Sequence, residues 1–462
     1  MQLSSDVIAQ LRSKVRGIIL LPGDSEFDAA RTVWNAMVDR KPAVILRCAG
    51  AADIIQALAL ARDQGLPVSV RGGGHNIAGS AVCDGGVMID LSALKSVRVD
   101  PELRRAYVEP GATLADLDHE TQAFGLATPL GINSTTGVAG LTLGGGFGWL
   151  TRKFGMTVDN LLSAELITAA GKRLRASASE NPDLFWAIRG GGGNFGIVTL
   201  FEFELHRVGP ELLSGLVVYP FEQAKTLLAK YRELAHEIPE DLNIWAVLRL
   251  APPLPFLPEA VHGKPVLLFP FLYAGDPEAG RRAIEPLRSL GLAHGEHFGL
   301  QPYTAWQKTF DPLLTPGARN YWKSHNFTEL NDGAIATMIE YAAKLPSAQC
   351  EIFLGMVSGA ANRVPKEATA YAHRDTRFAL NVHGRWEKPE DDKACITWAR
   401  EFFRAAAPYA SGSVYVNFLT QDEGERIQAA YGPNYDRLVQ LKEKFDPTNL
   451  FRVNQNIKPA GR

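Results

Sequence analysis

The sequence predicts an α+β fold in two domains, and three observations carry that prediction. The chain has 462 residues, more than a single hydrophobic core organises, so a division into units of ordinary domain size is expected. Within the first 208 residues, short β-like runs alternate with short amphipathic helices. From 209 to 412 the texture changes to strands set far apart with helices between them, the pattern of an antiparallel sheet covered by helices.

In the first segment, Ile54, Ile55, Leu58 and Ala61 recur at helical spacing over residues 51–64, and Gly65 followed by Pro67 stops that helix. Residues 68–70 form a strand that runs into a glycine loop. Residues 86–91 and 106–109 read as further strands, and Thr113 supplies the N-cap of a helix ending before Gly125. A helix over 182–188 precedes a strand over 197–205.

Of the 43 glycines, 22 lie between residues 71 and 196, which marks a stretch whose backbone, rather than its side chains, meets a ligand. Its centre is Arg71-Gly72-Gly73-Gly74-His75-Asn76-Ile77-Ala78-Gly79-Ser80. Three consecutive glycines let amide N–H groups face an anion at close range, and the His75 imidazole stands beside that bare backbone. A second cluster runs from Gly137 through Gly140 to Gly144-Gly145-Gly146. Gly191-Gly192-Gly193-Asn194-Phe195-Gly196 matches G-x-G-x-x-G, but it follows a helix and opens a strand, the reverse of the nicotinamide fingerprint. A Rossmann domain is therefore not expected.

Beyond residue 208, residues 221–237 and 277–290 read as amphipathic helices, and 245–250, 266–273, 351–357 and 378–386 as strands. Residues 251–258, with four prolines, form a loop. Tyr303, Trp306, Tyr321, Trp322, Lys323, His325, Asn381, His383 and Trp386 are dense enough that some should line a pocket. The last 50 residues return to short elements: a strand at 413–418, a helix at 435–445, a turn at 446–451, then Asn454-Gln455-Asn456.

Composition narrows the function. With 46% hydrophobic residues, 21% charged and a net charge of −2, the chain offers no electrostatic footprint for nucleic acid or an anionic membrane. A small-molecule substrate fits better. Neither a secretory leader pattern nor an 18-residue apolar window occurs, so a soluble, cytoplasmic protein is expected. Cys48, Cys83, Cys350 and Cys395 show no C-x-x-C spacing and are expected to be reduced and buried. His294, Glu296 and His297 have no recognisable metal-ligand partner, and no metal is expected.

Taken together, Arg71-Gly72-Gly73-Gly74-His75-Asn76, Asp84-Gly85-Gly86, Gly144-Gly145-Gly146, Asp183-Leu184-Phe185-Trp186-Ala187-Ile188-Arg189-Gly190, Asn194-Phe195-Gly196-Ile197-Val198 and Phe451-Arg452-x-Asn454-Gln455-Asn456-Ile457 resemble the berberine bridge enzyme-like branch of the vanillyl-alcohol-oxidase flavoproteins. The resemblance spans residues from about 40 to 208 and again about 410 to 460. It implies a PCMH-type FAD-binding domain of two α+β subdomains over 1–208, with its core at about 39–208, completed by 413–462 folding back on it. Residues 209–412 would be an inserted substrate domain.

The resemblance further implies FAD joined to the protein through His75 alone, because Asn133 stands where many members carry a second, cysteine link. Implied cofactor contacts are Arg71, Gly72, Gly73, Gly74, Asn76, Ile77, Ser80, Thr136, Gly137, Gly140, Gly144, Gly145, Gly196, Ile197, Val198, Asn417, Asn454 and Gln455. The implied activity is hydride transfer from an alcohol, sugar or amine to the flavin, with dioxygen as reoxidant, in a monomer or homodimer. Oxygenation, oxidative cyclisation and a non-catalytic flavin-binding role stay open on the sequence.

Tyr415-Val416-Asn417-Phe418 matches the family's catalytic tyrosine motif, which makes Tyr415 the expected base. A phenol near pKa 10 needs a donor or cation to hold its phenolate, and Lys323, His325 or an arginine is expected to supply it. Tyr321, Lys323, His325, Asn381 and His383 are the substrate-pocket candidates. Asn381 stands near the position where plant members carry a glutamate; an amide cannot act as a base, and His383 is the nearest titratable side chain.

Overall fold

The structure, a computed structural model, describes residues 3–461. A four-stranded sheet has the order Ile18–Leu20, Val44–Arg47, Val87–Asp90, Val68–Arg71. Its last three strands are parallel, and Ile18–Leu20 is an antiparallel edge. Parallel strands buried on both faces carry apolar residues at consecutive positions. Accordingly Val44 and Leu46 pack under helix Ala51–Asp63, while Ile45 and Met88 pack under helix Phe27–Arg31.

A five-stranded antiparallel sheet follows, in the order Val97–Asp100, Arg105–Val108, Ile197–Glu204, Leu161–Ile167, Arg173–Ser177. Helix Leu114–Gln122 starts at Thr113, whose hydroxyl and the Asp116 carboxylate form a reciprocal capping box. That helix, Pro182–Ile188 and Tyr435–Phe445 share one hydrophobic cluster with this sheet.

The largest sheet has eight antiparallel strands. Its order is Gly295–Pro302, Glu211–Pro220, Pro265–Tyr273, Ala246–Leu250, Glu351–Met356, Phe378–Trp386, Arg319–Phe327, with Leu242–Ile244 also beside Pro265–Tyr273. Helices Ala224–Glu237, Pro277–Arg288, Asp332–Ala342 and Asp392–Ala406 bury apolar residues in the same core as this sheet. On Arg319–Phe327 the two-residue period divides the side chains cleanly. Arg319 bonds Asp392, Tyr321 accepts from Arg400 and His325 stacks on Phe403, all on the helix side, whereas Trp322 turns toward Trp34 and His383.

The structure departs from the sequence reading at several elements. The strands Glu211–Pro220, Gly295–Pro302 and Arg319–Phe327 and the helices Asp332–Ala342 and Asp392–Ala406 are additional to the elements the sequence predicts. The strand expected at 413–418 is instead an extended run that exchanges backbone bonds with Asn326 through Ser411 and Ser413, then closes into a 3₁₀ turn at Val416–Phe418. In this turn Asn417 Nδ2 donates to the Tyr415 hydroxyl oxygen at 2.8 Å.

The C-terminal segment is fastened by a fully buried ion pair. Lys442 Nζ donates to Asp446 Oδ2 (2.8 Å), to the Phe451 carbonyl (2.8 Å) and to the Asn194 carbonyl (3.0 Å). Asp446 in turn accepts from the N–H groups of Leu450 and Phe451. Residues 446–457 are thereby held against the 191–196 glycine turn, and Asn194 Oδ1 accepts from the Ile457 N–H.

Candidate active site

An elongated cavity is bordered by residues of all three large sheets and by the C-terminal segment. Its narrow wall is built by two glycine loops in backbone contact. A Cβ on Gly73 would lie 2.4 Å from the Gly137 nitrogen, and a Cβ on Gly137 would meet the Gly73 nitrogen at the same distance. Any side chain at either position would force the loops apart.

Three features of this wall fit a dinucleotide. The N–H groups of Gly73, Gly74, His75 and Asn76 donate to no protein acceptor among the described residues. Gly140 and Gly193 line the cavity, and a Cβ on either would project into open space. Asn454, also in the lining, holds a buried Oδ1 without a hydrogen-bond partner. Among the described residues no lysine or arginine lines the cavity, so a pyrophosphate there would be held by amide N–H groups.

The sequence-derived candidates divide between lining and support. Gly72, Gly73, Gly74, His75, Asn76, Ser80, Thr136, Gly137, Gly140, Gly196, Ile197, Val198, His383, Tyr415, Asn417, Asn454 and Gln455 line the cavity. Arg71 does not; it pairs with the buried Asp90 at 2.7 Å and fixes the base of the glycine loop. Ile77 is buried, its carbonyl accepting from Asn35. Gly144 lies against Asn417, where a Cβ would approach Oδ1 to 2.1 Å, and Gly145 continues that turn.

Four pocket candidates lie elsewhere. Tyr321, Lys323 and His325 sit on the helix side of their strand, and Lys323 is paired with Asp422 (3.1 Å) and Glu423 (3.3 Å). Neither Lys323 nor His325 can therefore hold a Tyr415 phenolate. Asn381 shares the cavity-side face with His383 but is fully buried, and its register partner Phe353 takes the lining position.

Tyr415 has different partners from those expected. The Gly146 N–H donates to its hydroxyl oxygen at 3.0 Å and Asn417 Nδ2 donates at 2.8 Å. Asn417 Nδ2 also donates to the Leu141 carbonyl, which fixes the orientation of the amide. With both oxygen lone pairs engaged, the phenolic proton is left to donate toward the cavity. Burial pushes the Tyr415 hydroxyl up to about 12, against the opposing effect of the two donors.

His75 stacks on Trp34, ring centroids 5.2 Å apart, and burial in this wall pushes its imidazole down to about 4. It is a neutral ring at ordinary pH. Across the cavity, His383 Nδ1 lies 3.2 Å from Glu351 Oε1, and Glu351 is paired with Arg249 at 2.7 Å. Trp245, Trp322, Phe353 and Phe418 complete an aromatic enclosure on the large-sheet side. Glu351 and Phe353 escape sequence reasoning because they reach the site only through strand register, Trp245 lies at the break between Leu242–Ile244 and Ala246–Leu250, and Trp34, which stacks on His75, is far from every glycine motif in sequence.

Fold and cavity together define a dinucleotide-binding protein whose site lies between two glycine loops and an antiparallel sheet. Residues 42–177 match the family described as FAD binding domain, and residues 414–458 the family described as Berberine and berberine like. The chain is 31% identical to an FAD-linked oxidoreductase of Dictyostelium discoideum, covering 99% of this chain and 98% of that one. It is also 31% identical to (R)-6-hydroxynicotine oxidase of Paenarthrobacter nicotinovorans, covering 97% and 98%. The crystal structure of 6-hydroxy-D-nicotine oxidase from Arthrobacter nicotinovorans superposes with a TM-score of 0.87 at 28% identity, over 99% of this chain and all of that one. Xylooligosaccharide oxidase from Myceliophthora thermophila, in complex with xylobiose, gives 0.85 at 26% identity, over 99% and 100%.

The protein belongs to the berberine bridge enzyme-like family of FAD-linked oxidoreductases. It is an enzyme that uses FAD to oxidise small molecules. Among the described residues no helix is long and apolar enough to cross a membrane, and all four cysteines are buried and unpaired.

Proposed function

We propose that this enzyme removes a hydride from a carbon bearing a hydroxyl or amino group in a small alcohol, amine or sugar, with Tyr415 taking the proton. The observation that carries the reading is the Tyr415 hydroxyl, which faces the cavity while accepting two N–H bonds. Those donors would hold negative charge as the oxygen gives up its proton, in place of a cation. When bound, FAD supplies the two-electron acceptor.

The other residues orient and enclose. Trp245, Trp322, Phe353 and Phe418 offer flat faces to a substrate ring and keep water from it. His383, held by Glu351, presents a second proton-handling group on the opposite wall. Arg71, through Asp90, keeps the glycine loop in place, and the amides of Gly73–Asn76 would receive the pyrophosphate.

His75 is the attachment point for the flavin, and the attachment is single, with Asn133 at the position of the second link. Residues 1–208 and 413–462 form the flavin domain and 209–412 the substrate domain. Dioxygen is the acceptor that returns the flavin to its oxidised form. The enzyme works in the cytoplasm as a monomer or homodimer.

The test is anaerobic mixing of the yellow holoenzyme with a panel of alcohols, sugars and cyclic amines. Bleaching of the flavin with a product lighter by two hydrogens is expected for at least one class. A product that gains oxygen would replace simple oxidation with oxygenation, and a lack of bleaching across all three classes would overturn the reading.

A further inference from the structure

We infer that Asn133 and Thr135 fix the tautomer of His75, so that Nδ1 is the ring nitrogen that bonds to the flavin; this rests on the reading that His75 carries the cofactor. The Thr135 hydroxyl lies between two partners, Asn133 Oδ1 at 2.8 Å and His75 Nε2 at 2.9 Å. A hydroxyl has one proton to give. The Asn133 oxygen, whose orientation is set by the Thr135 N–H that it also accepts (3.0 Å), can only accept. The hydroxyl proton therefore goes to Asn133, and the Thr135 oxygen accepts from His75 Nε2–H.

For a ring that burial keeps neutral, a proton on Nε2 leaves a bare lone pair on Nδ1. Stacking on Trp34, with 21° between the ring planes, fixes the ring's orientation. No protein group donates to Nδ1 among the described residues, so that lone pair is free to act as a nucleophile in the cavity. Thr135 itself is exposed on the loop, and its hydroxyl bonds to Asn133 and His75.

Attachment forms one bond, from Nδ1 to the flavin 8α carbon, and breaks one C–H bond there. Two electrons pass to the flavin ring. The proton from the 8α carbon and the proton that the imidazole gives up from Nε2 accompany them, leaving the flavin reduced. Dioxygen, the oxidant, then takes two electrons and two protons to become hydrogen peroxide. Thr135 lowers the barrier by accepting from Nε2–H as positive charge grows on the ring; the opposite tautomer would place a proton on the attacking atom.

The test follows attachment in full-length apoprotein mixed with FAD in air. At timed intervals, bound flavin is read by absorbance before precipitation and covalent flavin by absorbance retained in the acid pellet. Thr135→Val and Thr135→Ala are expected to bind FAD but attach it at least about tenfold more slowly, the consequence of losing one hydrogen bond to the developing charge. Thr135→Ser should restore the wild-type rate. Two-dimensional NMR of the flavin peptide released from wild type should show the bond at Nδ1.

Wild-type rates in both hydroxyl-less variants, or a bond at Nε2, would overturn the inference. Wild-type protein that binds FAD and attaches none would instead overturn the reading that His75 carries the cofactor.

Discussion

Tyr415→Phe is expected to leave the flavin bound and to slow its reduction by substrate about 10²- to 10⁴-fold, the range for loss of a general base. The phenylalanine ring fills the same space between Phe147 and Phe418, so the loss would report the oxygen. That oxygen serves two buried donors, Gly146 N–H and Asn417 Nδ2. Asn417 keeps the Leu141 carbonyl, but the Gly146 N–H is left without an acceptor at a cost of about 1–3 kcal/mol, and a modest drop in stability should accompany the kinetic loss. In the wild type, reduction should quicken as pH rises, because burial holds the phenol up to about 12 and deprotonation becomes easier throughout the accessible range. Stopped-flow reduction from pH 6 to 10 would show that rise in wild type and its absence in the variant; an unchanged rate in Tyr415→Phe would remove this residue from the chemistry.

The largest effect on stability is expected from Lys442→Met. Lys442 and Asp446 are both without solvent exposure, and removing one partner of such a pair costs about 3–5 kcal/mol because the other is left charged and buried. The loss would spread to the site. Asn194 and Phe451 lose the Nζ bonds that tie the 191–196 turn to the tail, and Val453, Asn454 and Gln455 line the cavity from that tail. Urea unfolding should show the midpoint falling with little change in slope, and non-covalent FAD retention should weaken in parallel. The double variant Lys442→Met/Asp446→Asn should recover part of the loss, since it no longer strands a charge and keeps an acceptor oxygen for the backbone N–H groups of that turn. A single variant as stable as wild type would mean that the pair does not hold the tail.

The sequence exposes the glycine wall because the constraint acts locally. Gly73 and Gly137 must be glycine where their two backbones touch, Gly72 where a Cβ would meet the Pro110 carbonyl oxygen, and Gly74 because its φ is +71°, so each requirement is written at its own position. The reversed 191–196 pattern is likewise legible, because helix before strand is a matter of chain order. What sequence cannot reveal is which side of a strand faces the cavity when both sides are polar and aromatic. Arg319–Phe327 alternates Tyr321, Lys323 and His325 with Trp322, Ser324 and Asn326. Neither set reads as the buried one, and only pairing with Phe378–Trp386 and packing under Asp392–Ala406 decide that Trp322 reaches the site.

Glu351 illustrates the same limit. Its carboxylate meets His383 because Glu351–Met356 pairs in register with Phe378–Trp386, a contact across 32 residues that no local pattern announces. Tyr415 and Asn417 were visible as a spaced pair, but the 3₁₀ turn that unites them, and the Gly146 N–H that completes the hydroxyl's partners, depend on a segment 269 residues away. The strand Gly295–Pro302 carries two glycines and mixed polarity with no alternation, so no local period marks it as a strand.

The most direct test of the account is the intact mass of purified protein under denaturing conditions, for wild type and for His75→Ala. Wild type should exceed its sequence mass by one FAD, and His75→Ala should show the bare polypeptide mass even when the native protein is yellow. Wild type at the bare mass, or His75→Ala still carrying the flavin, would contradict the assignment of His75 as the point where cofactor and chain are joined.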